Sequence, residues 1–191
     1  MEDSDSVAVA RAKTGDADAY RVLVDRHSRS VFRLAFRMTG NEQDSEDVVQ
    51  ETFLRAFRQL HRYEARSSFA TWLYRIAANY SLDLVRRRKR HGDVTLDTPS
   101  DDDHQEMARA IASREPGPDR LLFSGKIQER IRTALDELSQ QERAAFVLRH
   151  FEGQSIEEIS TALGLSINAA KHSIFRAVQK LRRALEPLVT S

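Results

Sequence analysis

An all-α fold of two small helical domains is what this sequence predicts, on three observations. Apolar residues recur at three- and four-residue spacing through most of the chain, which is the period of a helix face and not of a strand. Two Ser-x-x-Glu boxes, Ser139 with Glu142 and Ser155 with Glu158, mark helix starts, because hydroxyl and carboxylate each satisfy an orphan amide. Between the two patterned blocks lies a segment of different composition, residues 91–120. No alternating strand pattern and no internal repeat competes with this reading.

The first block covers residues 7–90. A helix is expected over roughly Asp16–Met38, with a possible break near His27–Ser30, and the "TGN" run Thr39–Asn41 stops it. A second helix runs from about Asp44 to Leu60, its core stripe being Val49, Phe53, Ala56, Phe57 and Leu60. After the loop "HRYEARSS", Ser67 or Ser68 caps a third helix. Its stripe is Phe69, Trp72, Leu73, Ile76 and Tyr80, and it ends in the basic run Arg86–Arg90.

The intervening segment, "HGDVTLDTPSDDDHQEMARAIASREPGPD", carries Asp93, Asp97, Asp101, Asp102, Asp103, Glu106, Glu115 and Asp119 against Arg109 and Arg114. It lacks aromatics, so it buries too little apolar surface to offset its ordering entropy. It reads as an acidic flexible linker with a short helical turn around Glu106–Ala112.

The second block covers residues 121–191. Its two capped helices stop at Gly153 and Gly164, and Pro187 ends the last one. Helix Ile156–Leu163, turn Gly164–Ser166 and helix Ile167–Leu185 have the proportions of a helix-turn-helix, which residues 156–183 delimit. In the second helix Ile167, Ala170, Ile174, Val178, Leu181 and Leu185 line one side. His172, Arg176, Gln179 and Arg183 point the other way, with Asn168, Ala169 and Lys180 beside them and Lys171 and Phe175 flanking. A helix that enters the major groove needs such a face. A helical hairpin with a solvated basic face has the same pattern.

Composition narrows the function. Net charge is +1, so any nucleic-acid signal lies in how charge is distributed. With no cysteine there is no thiolate catalysis and no Cys-based zinc site. The six histidines are scattered, and no pair has metal-ligand spacing. "DDDHQE" is a solvated charge run, and no phosphate loop of the Walker type occurs. An enzyme is not expected, nor a cofactor or metal. The acidic start "MEDSDSVAVARAK" is no secretory signal, and no apolar run approaches a membrane span, so a cytoplasmic protein is expected.

Three stretches in this order carry a resemblance: "DSEDVVQETFLRAFRQL" (Asp44–Leu60), "FATWLYRIAANYSLDLVRRRKR" (Phe69–Arg90) and "LSQQERAAFVLRHFEGQSIEEIS" (Leu138–Ser160). The chain resembles an extracytoplasmic-function sigma factor of the sigma-70 family over nearly its whole length outside the linker. The resemblance implies a region 2 domain that binds core RNA polymerase and the −10 promoter element, and a region 4 domain that binds the −35 element. It further implies docking on the polymerase β′ clamp helices and β subunit, and an anti-sigma factor as partner. The linker would thread toward the polymerase active site. About 29 residues span roughly 95 Å fully extended, whereas a free coil averages about 30 Å.

Residues can be set against those roles. Asp47, Gln50, Glu51 and Leu54 form an outward flank of the second helix, and an acidic face with a leucine suits a protein better than phosphates. Strand opening needs a place to hold an unpaired base. By resemblance Tyr63–Ser68, with Arg66 and Ser67, is the loop that forms this pocket, and Asn79 helps read the base. Arg75, Asn79, Leu82 and Arg86 share a stripe, with Trp72 either core or stacking platform. Arg86 and Arg87 begin a run that either grips phosphates or complements a helix C-terminus. At the −35 element the candidates are Asn168, Lys171, His172, Phe175, Arg176, Gln179 and Lys180. Many family members carry an Arg-Ser-Arg-like run there. Here it is Lys171-His172-Ser173, and the missing arginine at Ser173 leaves the −35 sequence open.

Alternatives from the residues alone are a stand-alone helix-turn-helix repressor and a regulator that binds only protein.

Overall fold

All but the first of the helices described below begin where a short polar side chain takes an orphan amide, and several end where a glycine turns left-handed. The computed structural model describes residues 4–91 and 133–189, and among these there is no strand. The first block holds α1 (Asp5–Lys13), α2 (Ala17–Thr39), α3 (Glu42–Gln59), a 3-10 turn over Leu60–Arg62, and α4 (Phe69–His91). The second holds α5 (Gln140–His150), α6 (Ile156–Leu163) and α7 (Ile167–Val189).

Local chemistry explains the boundaries. The Asp16 carboxylate accepts the Ala19 amide at 3.0 Å and starts α2. Gly40, at φ 70°, ends it, and the Asn41 side chain accepts the Asp44 amide to start α3. Both Ser-x-x-Glu boxes close reciprocally, over Ser139 with Glu142 and over Ser155 with Glu158.

Some sequence expectations are corrected. α1 was not singled out, because its only buried residues are Ala8, Val9 and Ala12. α2 runs without a break near His27–Ser30, because His27 is buried, pairs with Asp5 at 2.8 Å and packs edge-on against Phe69. α7 runs to Val189, past Pro187. The linker, its turn at Glu106–Ala112 and residues 121–132 lie outside the described residues.

The two blocks pack against each other here. A single buried cluster runs from Ala8 and Leu23 through Leu73 and Ala77 to Leu148, Ile159 and Ala170. α6 lies on α4, and α5 touches both α2 and α4. A second cluster sets Phe36 of α2 among Leu135, Leu138, Ala177 and Leu181. At this seam Arg37 Nη1 donates to Glu152 Oε1 at 3.1 Å, and its guanidinium lies 4.2 Å from the Phe151 ring centroid. Burial pushes the Glu152 carboxyl up and lowers the Arg37 guanidinium, each against the pull of the other. The apolar clusters therefore drive the docking, and the ion pair fixes its register.

Candidate nucleic-acid interface

Three faces carry the functional candidates. On α3 the core stripe is Val48, Thr52, Phe53 and Ala56. That leaves Asp47, Gln50 and Leu54 exposed, while Glu51 is half-buried and bound to Arg55 at 2.6 Å. Phe57, expected in the core, is 57% exposed and rests edge-on against Tyr20. Leu54 and Phe57, one helical turn apart, form an apolar patch beside Asp47 and Gln50. Phe57 was missed because it shares the spacing of Phe53 and Leu60, and the spacing does not say which of them a neighbouring helix buries.

The second face is the loop 63–68 with α4. Tyr63 is buried, packs against Phe69 and Trp72, and donates its hydroxyl to the Ser67 carbonyl at 2.6 Å. Ala65 at the loop tip has φ 55°, a left-handed conformation that a Cβ disfavours. Arg66 projects outward and pairs with Glu64 at 2.6 Å. Ser68 is the cap of α4, accepting the Thr71 amide at 3.1 Å. Along α4, Arg75, Asn79 and Arg86 are exposed, with Asn79 Nδ2 donating to the Arg75 carbonyl. Leu82 does not join them, since it is buried against the core. Trp72 is partly buried, its indole packed against Tyr63 and Phe69. In the basic run, Arg86 and Arg87 are exposed, whereas Arg88 reaches Asp44 at 2.6 Å and ties α4 to the start of α3.

The third face is α7. Gly164, at φ 64°, closes α6, and the Ser166 hydroxyl accepts the Ala169 amide at 3.2 Å to start α7. Ala170, Ser173, Ala177 and Leu181 are buried. Asn168, Lys171, His172, Phe175 and Arg176 therefore stand in solvent, Gln179 is half-buried, and Phe175 is 61% exposed. Ile167, assigned to the core side, is 45% exposed. Two readings change. Ser173 faces inward and accepts a hydrogen bond from Gln141 Nε2 at 3.1 Å, so it is not a base-facing position here. Lys180 Nζ is held by Glu142 Oε2 at 2.7 Å and by the Glu137 carbonyl, so it serves the domain's interior.

The docked blocks bring the second face against α6. A cleft of about 370 Å³ is lined by Arg66, Ser67, Thr71, Trp72 and Arg75 on one side, and by Glu157, Glu158 and Thr161 of α6 on the other. The acidic first turn of α6 thus faces cations of the second face. No helix among the described residues is long and apolar enough to cross a membrane.

Comparison with known proteins matches the two blocks to two family models. The sigma-70 region 2 family model matches residues 23–91, and the sigma-70 region 4 model matches residues 128–181. The chain is 38% identical to the ECF RNA polymerase sigma factor SigE of Mycolicibacterium smegmatis, over 88% of this chain but 63% of that longer protein. It is 33% identical to the RNA polymerase sigma-H factor of Pseudomonas aeruginosa, over 98% of this chain and 97% of that one. A solved structure of CnrH in complex with the cytosolic domain of CnrY is similar with a TM-score of 0.65 and 27% identity, covering 97% of this chain and 99% of that one.

Proposed function

The chain belongs to the extracytoplasmic-function sigma factors of the sigma-70 family, and from that premise we infer how its residues divide promoter-directed transcription initiation. It binds core RNA polymerase and directs it to promoters through −10 and −35 recognition and strand opening. It does so by binding, without catalysis of its own, in the cytoplasm. Asp47, Gln50, Leu54 and Phe57 dock on the polymerase clamp. The loop 63–68, with Arg75, Asn79 and Arg86, holds the melted −10 strand. Asn168, Lys171, His172, Phe175 and Arg176 enter the major groove of the −35 element.

The observation that carries this reading is the clean division of α7. Ala170, Ser173, Ala177 and Leu181 are buried, so the N-terminal exposed face is polar or basic apart from Ile167 and Phe175. Groove entry needs that division, because one side must pack while the other meets base edges.

In the docked arrangement the two DNA faces lie too close for a promoter whose elements sit about two DNA turns, roughly 70 Å, apart. The blocks therefore separate on engaging polymerase. CnrH is solved with the cytosolic domain of CnrY. By that likeness this chain takes a protein partner, an anti-sigma factor, that favours the docked form.

The test compares paired and pre-melted −10 templates carrying matched or scrambled −35 elements. Arg176→Ala should lose roughly 5- to 150-fold in discrimination between −35 sequences, the worth of one base-edge contact, and pre-melting should not restore it. Unchanged −35 discrimination would remove α7 as the reader.

A further inference from the structure

A loop with a strained tip keeps its shape only if its surroundings impose it. The loop 63–68 has such a tip, since Ala65 sits at φ 55° with no glycine to relieve it. One restraint is internal, the Tyr63 hydroxyl on the Ser67 carbonyl. The other comes from outside the domain's three-helix centre. Lys13, the last residue of α1, donates through Nζ to the Tyr63 carbonyl, and the same ammonium lies 5.7 Å from the Tyr63 ring centroid. Lys13 therefore grips both the backbone and the ring of the residue from which the loop departs.

α1 is itself clipped at its far end. The Asp5 carboxylate accepts from Arg26 Nη1 at 2.6 Å and pairs with His27 Nε2 at 2.8 Å, both on α2. Between these two attachments a cleft of about 420 Å³ opens, with Ser6, Val9 and Lys13 of α1 on one wall and Glu64, Ala65 and Ser68 on the other. The position of the loop relative to the rest of the domain thus depends on a helix that carries none of the residues assigned to DNA.

We propose that Lys13 is a positioning residue for −10 recognition: by holding Tyr63 it fixes the loop 63–68 in the shape that selects the unpaired base. This rests on the reading of the loop as the −10 site. A single charge-assisted bond to a carbonyl holds the loop base, and losing it frees the tip to relax from its left-handed turn. Selectivity then falls more than overall binding, because selectivity depends on loop shape and binding on the phosphate contacts of α4.

The experiment is transcription by reconstituted holoenzyme from a template library randomised across the −10 element, with a pre-melted version in parallel. Lys13→Met should flatten base preference at one −10 position by about tenfold, the worth of one hydrogen bond to a charged group. Polymerase affinity and −35 discrimination should stay unchanged, and Lys13→Arg should restore the preference. Asp5→Asn, which loosens the other clip, should flatten the same position to a smaller degree. If Lys13→Met keeps full preference while Ser67→Ala or Ser68→Ala loses it, the positioning role is overturned and the loop's role stands. If none of these variants changes −10 preference, the loop is not the reader and both ideas fall. Equal losses at the −10 and −35 elements would mean a general folding defect and would also overturn the proposal.

Discussion

Lys180 stands on the exposed side of a basic helix, yet its ammonium is spoken for by Glu142 and the Glu137 carbonyl. Lys180→Met should therefore cost about 1 kcal/mol of stability, as expected for a half-exposed ion pair, and leave the salt dependence of −35 duplex binding as it was. Lys171→Ala should do the reverse, flattening that salt dependence by about one unit in a filter-binding titration with little change in stability. Burial alone would raise the Glu142 carboxyl, but Lys180 and the Ser139 amide hold it below its ordinary 4.5. A lowered carboxyl stabilises the fold above its ordinary range and loses that contribution as pH falls through the lowered value. Glu142→Gln should thus remove part of the protein's loss of stability on the acid side, read from urea midpoints across pH. At Ala65 the left-handed backbone predicts that Ala65→Gly raises stability by about 0.5 kcal/mol, the Cβ strain relieved exceeding the added chain entropy. A lower unfolding midpoint for that variant would contradict the strain argument.

Helix limits in this chain were legible at most places where their cause is local, Pro187 being an exception. The capping boxes at Ser139 and Ser155, the break at Thr39–Asn41 and the turn at Gly164 need only residues a few positions apart, and all occur where the sequence places them. Gly164 makes a clean test, because a Cβ there would meet nothing within 4 Å and its φ is +64°. Gly164→Ala should cost about 1–2 kcal/mol from backbone strain alone, and Gly164→Asn less, in thermal unfolding. What was not legible depends on partners distant in sequence. Periodicity placed Phe57 with the core residues of α3, but Phe57 meets only the edge of the Tyr20 ring and stays exposed, while Val48, Thr52 and Phe53 are buried. It placed Leu82 on one stripe with Arg75, Asn79 and Arg86, although Leu82 is buried, and the resemblance set Ser173 in the recognition run, although Gln141 of α5 meets it. α1 left no strong signal because its buried face is only two alanines and a valine. The three faces themselves were foreseen in outline, since an exposed stripe is simply what a core stripe leaves over.

At the scale of the whole molecule, the sequence predicts two small helical domains, and the described residues of both share one buried cluster across the seam. A free protein in this form should bind promoter duplex poorly, because the acidic turn of α6 faces Arg66 and Arg75. The ion pair Arg37–Glu152 is nearly buried, with side-chain exposures of 11% and 8%. Removing one partner leaves an uncompensated charge and should weaken docking by about 3 kcal/mol, whereas replacing both with methionine should be close to neutral. Dyes on cysteines introduced at Arg58 and Arg182, in a chain that has no cysteine of its own, would report the separation by energy transfer. Arg37→Ala should lower the transfer and the double replacement should not. Polymerase binding should lower it in all variants. The most direct measurement of the central claim is run-off transcription by core polymerase with and without this protein, followed by sequencing of the start sites. The account predicts that the protein confers discrete start sites preceded by one shared −35 and −10 pair, and that Arg176→Ala and loop variants each blur the element assigned to them. Transcripts with the same starts whether or not the protein is present would contradict it.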